Sequence, residues 1–202
     1  MIWIGVDIAG IAELGQKVVN EFYNNPDKPK GKGVTVNISA SSFVPKPFTP
    51  FQWERQNTAE ELETKQKLLM SAITDRKIRY NYHDAKTSHL EAVFARGNRT
   101  LGKALREAAK RGVKFDAWEE IFDYDQWMDI FNTVGIDPAF FANRNIPEDE
   151  ILPWDVIDIG VTKDFLLRER HKAMEASTTP SCKEKCSGCG AAKLLKGGKC
   201  DG

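Results

Sequence analysis

The stretch 33–43, GVTVNISASSF, limits the possible folds more than any other part of the chain. Val34, Val36, Ile38 and Ala40 recur at period two, with Thr35, Asn37, Ser39 and Ser41 between them. Successive residues of a strand point to opposite faces, so this alternation predicts a strand with one apolar and one polar face. The preceding segment 8–24, IAGIAELGQKVVNEFYN, has a different period. Ile8, Ile11, Ala12, Gly15, Val18, Val19 and Phe22 fall at helical spacing, and Asp7 is placed as an N-cap. The turn-rich NNPDKPKGKG joins the two. A helix, a loop and a half-buried strand in that order predict part of a β/α unit.

The following FVPKPFTPFQW holds three prolines and four aromatic residues. Proline fixes φ and removes a donor, so a stiff extended loop is expected here. Thr58 and Glu61 form a capping-box pattern that opens a helix to about Thr74. KIRYNYHD reads as a short strand with Ile78, Tyr80 and Tyr82 on one face. Beyond it, helices are expected at 87–95, 99–111, 124–134 and 162–175, with Asn98, Asp123 and Thr162 as caps and Gly112 and Gly135 as stops. Asp137-Pro138 starts another short helical turn.

Charge excludes some partners. Lys+Arg and Asp+Glu number 29 each, so no overall basic field points to nucleic acid and no acidic one to a basic partner. No run is long and apolar enough to span a bilayer. The opening MIWIGVDIAGIAEL lacks a basic n-region and a small-residue cleavage site, so no export is expected and the cytoplasm is the expected compartment. In a reducing compartment, clustered cysteines are metal ligands more often than disulfides.

All four cysteines, Cys182, Cys186, Cys189 and Cys200, lie in the last stretch, SCKEKCSGCGAAKLLKGGKC. The spacing Cys182-x3-Cys186-x2-Cys189 places three thiols in one tight loop, and Cys200 supplies a fourth ligand. Lys183, Lys185, Lys193, Lys196 and Lys199 surround them, and positive neighbours favour the thiolate form that binds metal. Gly188 and Gly190 let the backbone wrap closely around a ligand. Thiolate-only ligation suits an iron–sulfur cluster or zinc, and the spacing does not separate the two.

Other residues point to chemistry less sharply. Asn37, Ser39 and Ser41 are short hydrogen-bonding side chains, without the Lys and Glu common on exposed strands. They fit either a wet barrel interior or an ordinary solvent face. His83-Asp84 follows the second strand and is either an oriented acid–base pair or a turn in which Asp84 caps the next helix. Arg96, Arg99 and Arg106 are expected on a solvated helix face, although Arg also suits phosphate recognition. Trp118, Trp127 and Trp154 are expected as core anchors.

Five blocks carry a resemblance: SSFVPKPFTPFQWE, HDAKTSHLEAVFARGNRTLG, DAWEEIFDYDQWMDIFNTVGIDPAFF, LPWDVIDIGVTKDFLLRE and TTPSCKEKCSGCG. Together they resemble the C-terminal half of cobalamin-binding-domain radical SAM proteins, from about Ile8 to Cys189. The nearest group is uncharacterised and is encoded with, or fused to, a companion domain of unknown function. The resemblance implies an α/β fold in which a partial radical SAM (β/α) barrel is followed by a helix-rich extension and a Cys-rich tail. It implies barrel and substrate-side loop at 1–53, extension at 54–176 and metal-binding tail at 177–202. Asn37, Ser39 and Ser41 would face the lumen where S-adenosylmethionine and substrate meet.

The family's SAM-cleaving cluster belongs near the start of the barrel, so the terminal triplet is expected to hold an auxiliary iron–sulfur cluster, or zinc. The opening MIWIGVD departs from the family pattern, so a truncated enzyme is expected, inactive alone. Full-length relatives would use S-adenosylmethionine, with cobalamin as a further cofactor, on an unknown substrate. The partners implied are that substrate and the companion-domain protein; nucleic acid stays open, since the residues also fit a metal-stapled helical module that docks a protein or RNA partner through its basic tail, or a non-functional truncated fragment. No catalytic residue is identified.

Overall fold

Thr58 and Glu61 close the capping box that their spacing predicts. In the computed structural model the Glu61 N–H donates to Thr58 Oγ1 at 3.2 Å, and Glu61 Oε2 accepts the Thr58 N–H at 2.9 Å. Two orphan donors at the helix start are thereby satisfied. The structure describes residues 5–114, 116–118 and 120–194. These form two compact units, Met1–Phe43 with Asn57–His89 and Val44–Gln56 with Leu90–Gly202.

The first unit contains α1 (Gly5–Asn24), β1 (Val36–Ala40), α2 (Ala59–Ala72), β2 (Ile78–Tyr82) and the start of α3 (Ala85–Ala95). β1 and β2 pair in parallel, with Val36 opposite Ile78 and Ala40 opposite Tyr82. Parallel strands need a long crossover, and α2 lies within it. Ile8, Ala12 and Leu69 are buried together, with Ala40, Ile73 and Tyr80 packed against them. The helices therefore cover the apolar sheet face. Asn37 and Ser39 on β1, and Arg79 and Asn81 on β2, are exposed on the other face.

The second unit is mostly helical. After a 3-10 turn at Arg99–Leu101 come α4 (Gly102–Lys110), α5 (Tyr124–Thr133), α6 (Pro138–Ala142) and α7 (Lys163–Met174). The caps Asn98, Asp123, Asp137 and Thr162 each accept a backbone N–H, as their positions predict. One cluster gathers Val93, Ala104, Ile130, Phe131 and Ala142, all 0% exposed. A second joins Trp53 to Ile146, Leu152, Trp154 and Leu166. The proline-rich segment is bound into this unit rather than merely extended. Trp53 O accepts the Ile146 N–H at 2.8 Å, and the Gln56 N–H donates to Ala142 O at 2.9 Å. Buried Gln52 accepts from the Phe48 N–H at 2.9 Å and from Trp154 Nε1 at 2.7 Å, with Phe48 at φ 60°.

Three expectations need correction. No barrel remnant is seen among the described residues: the sheet has two strands, and its alternation reflects helices on one face only. α1 begins at Gly5, so Asp7 lies in its first turn, where a carboxylate favours the helix dipole, instead of capping it. Trp118 is 61% exposed, whereas Trp127 and Trp154 are the core anchors expected.

Candidate metal centre

The thiol loop is reached by following α7 and then returning along it. Thr162 caps α7 through Oγ1, which accepts the Phe165 N–H at 3.2 Å. The helix ends at Met174, Ala176 just beyond it turns the chain at a φ of 53°, and the Ser177 N–H donates to Lys172 O at 2.8 Å. This reversal sends the chain back toward the start of α7. Thr179 Oγ1 donates to Glu169 Oε1 at 2.8 Å and accepts from Lys172 Nζ at 2.8 Å. The hydrogen bond from Thr179, helped by Lys172, holds the Glu169 carboxyl below its ordinary range. Further on, Arg168 Nη2 donates to Ser187 O at 2.7 Å. The Thr162 N–H donates to Cys189 O at 2.9 Å. Leu194 then packs on Gly160.

Gly190 fits tightly into this arrangement. It holds a φ of 97°, and a Cβ there would lie 2.7 Å from Gly160 O and 2.8 Å from Thr162 Cγ2. Only glycine allows so close an approach at that φ. The segment around Cys189 is thus docked in a cradle formed by Gly160, Thr162 and Arg168. The segment before it is held less. Among the described residues, the Glu184 and Lys185 N–H groups donate to Ser181 O in a local turn.

Cys182 and Cys186 are exposed, Cys189 is half-buried, and all three are free thiols. Among the described residues no three His, Cys, Asp or Glu side chains are grouped to hold a metal ion. Cys200 lies outside the described residues. The donor set suits a soft metal, and the cradle presents Cys189 from a fixed backbone. Closing on an ion therefore requires the lightly held 182–186 segment to fold toward Cys189.

The other predicted residues fall elsewhere. Asp84 Oδ1 accepts the Thr87 N–H at 2.8 Å, so Asp84 caps α3, while His83 is exposed and offers its carbonyl to Gln66 Nε2 at 2.9 Å. The turn reading of this pair is the one observed. Asn37, Ser39 and Ser41 are exposed in the first unit. Arg99 and Arg106 lie on the solvated face expected, but Arg96 does not. It is 3% exposed and donates to Ala142 O at 2.8 Å and Arg144 O at 2.9 Å. Burial pushes its guanidinium down to about 10. The sequence placed it on a surface helix, but the chain end of α6 returns over it and supplies carbonyls for its donors.

Sequence reasoning missed one charged network. Arg170 binds Glu54 at 2.6 Å and Glu148 at 2.6 Å, and His171 Nε2 meets Glu148 Oε1 at 2.8 Å. Beside Glu148 in sequence, Glu150 takes Arg144 in a two-pronged contact at 2.8 and 2.6 Å. His171, then Arg170, holds the Glu148 carboxyl below its usual range, and Arg144 does the same for Glu150. Each arginine of the network is matched by a carboxylate, which is the chemistry of a clamp between distant segments. The i,i+3 spacing of charges in RERHK gave no hint of partners more than 100 residues away, such as Glu54.

Comparison with protein-family profiles, curated proteins and solved structures finds no match. The thiol loop and its cradle are therefore read from their own chemistry.

Proposed function

We propose that the C-terminal loop is a thiolate metal site in the C-terminal portion of a radical SAM iron–sulfur enzyme. Cys182, Cys186 and Cys189 hold the metal, and Cys200 adds the fourth ligand. The observation that carries this reading is the docked half of the loop: Cys189 is tied through its carbonyl to the start of α7, and Gly190 is seated where no side chain fits. A random tail has no use for such a seat. The enzyme reading rests on the five blocks that resemble the radical SAM family. An iron–sulfur cluster bound here supplies one-electron chemistry or an open iron for substrate, whereas zinc supplies only a structural tie. All four cysteines of the 202 residues lie in this tail. A second triplet for SAM cleavage is thus not among them, and the chain alone is expected not to cleave S-adenosylmethionine.

The test is anaerobic purification with iron, sulfide and zinc measured per chain, beside a Cys186→Ala variant. Iron with matching sulfide, lost in the variant, supports the auxiliary-cluster reading. Zinc alone reduces the site to a structural tie. Metal absent from both proteins refutes the proposal, and so does 5′-deoxyadenosine release by the isolated chain for the placement of the cysteines.

A second reading is favoured by α4. Lys103 and Arg106, with Arg99 just before the helix, line the face opposite buried Leu101, Ala104 and Ala108. None of the three makes an ion pair among the described residues, unlike Arg111, Arg144 and Arg170. Such a stripe fits an RNA phosphate backbone. RNA affinity that falls steeply with salt, and flattens in an Arg99→Ala/Lys103→Ala/Arg106→Ala protein, is the expected result; salt-insensitive binding refutes it.

A further inference from the structure

We infer that Arg168 is a positioning residue of the thiolate site, fixing the link between Cys186 and Cys189 at Ser187 so that the 182–186 segment closes on a metal from a set pivot. The inference rests on the metal reading above. Arg168 donates to Ser187 O at 2.7 Å, and Ser187 follows Cys186 directly. Its guanidinium also lies over the Phe165 ring, 5.2 Å from the centroid. Phe165 packs against the Trp53 and Leu166 cluster, so the surface under the guanidinium belongs to the core.

The way Arg168 is used sets it apart. Arg111, Arg144 and Arg170 each engage a carboxylate. Arg168 forms no ion pair among the described residues, and its side-chain hydrogen bond goes to the loop. Gly188 comes next, at φ 68°, and a Cβ there would still be 4.0 Å from Nη2. The bend therefore aims the Ser187 carbonyl at the guanidinium without crowding it. An ion ligated by three or four thiolates carries net negative charge, which a nearby guanidinium offsets. Backbone groups fixed by such outer partners set how ligands are presented, and their loss typically weakens metal binding about 10–100-fold.

The test titrates the full chain with Co(II) under anaerobic, reducing conditions, reading the thiolate-to-metal absorption bands. Arg168→Met keeps the unbranched apolar stem of the side chain and removes the donor, whereas Arg168→Lys keeps a charged donor. Arg168 is exposed, so neither change threatens the fold. Far-UV circular dichroism and urea midpoints are expected to match across all three proteins. The expected result is Co(II) binding weakened about 10-fold in Arg168→Met and restored to within about 3-fold of the parent in Arg168→Lys. Equal affinity and band shape in the parent and Arg168→Met overturn the role of Arg168 while leaving the metal site standing. If the parent protein shows no thiolate bands, the metal reading fails and this inference fails with it.

Discussion

Replacing Gly190 by alanine tests whether the thiol loop is docked by design. The docked state is held by few contacts. The Thr162 N–H to Cys189 O bond, at 2.9 Å, contributes about 1 kcal/mol, and the charge-assisted Arg168 to Ser187 bond, at 2.7 Å, about 1.5 kcal/mol. Leu194 is 67% exposed, so its packing on Gly160 adds well under about 1 kcal/mol. Together these come to roughly 3 kcal/mol, before the entropy lost in ordering the tail. Against this, alanine at a φ of 97° costs about 1–2 kcal/mol. Its Cβ would also lie 2.7 Å from Gly160 O, a backbone atom that cannot swing aside, for about 1–3 kcal/mol more. The opposing effects are of equal size, so Gly190→Ala is expected to release the loop.

The assay is amide hydrogen exchange at Thr162, whose N–H is covered by Cys189 O. A loss of about 3 kcal/mol corresponds to roughly 100-fold faster exchange, since each 1.4 kcal/mol is about tenfold. Cleavage by trypsin after Lys183 and Lys185 should accelerate in parallel. The Trp53–Leu166 cluster is untouched, so the urea midpoint is expected to move little. Thr162 protection within about threefold of the parent protein would refute the reasoning, because the loop would then not depend on the seat at Gly190.

Three other outcomes follow from the same geometry. Gln52→Leu leaves the Phe48 N–H and the Trp154 indole N–H without their acceptor, so it should destabilise the second unit by about 2–4 kcal/mol, measured by urea unfolding; a change below about 1 kcal/mol contradicts the buried bridge. Ala176→Gly relieves a left-handed alanine at the end of α7 and should stabilise by roughly 0.5–1 kcal/mol, visible as a higher melting temperature, whereas a loss of stability contradicts the φ of 53°. Glu148 and Glu150 have folded-state carboxyls held below 4.5, so their contribution is present above that pH and is lost as pH falls through the depressed values. Glu150→Gln should flatten the acid side of the stability–pH curve, and an unchanged curve would show that the Arg144 contact is idle.

Much of the local structure is legible in the residues because it depends on near neighbours. Thr58 with Glu61, Asp123 and Thr162 announce helix starts, since a cap bonds within three residues of itself. The strands at 36–40 and 78–82 are visible in their alternation for the same reason. The cysteine spacing likewise marks a thiol loop without any fold. What covers each face is a different matter. Asn37, Ser39 and Ser41 read equally well as a barrel lumen or a solvent face, because alternation reports polarity and not the neighbour opposite.

The sequence by itself determined most element types, their caps and the clustering of the thiols in the tail, all set by chemistry within a few residues. Only the tertiary structure decided that Arg96 is buried against the end of α6, that Glu54 joins Arg170, and that Cys189 is seated on the start of α7. Those contacts link residues from about 27 to more than 100 positions apart. They depend on chain reversals and on which carbonyls remain free after the helices form, and no local period records either.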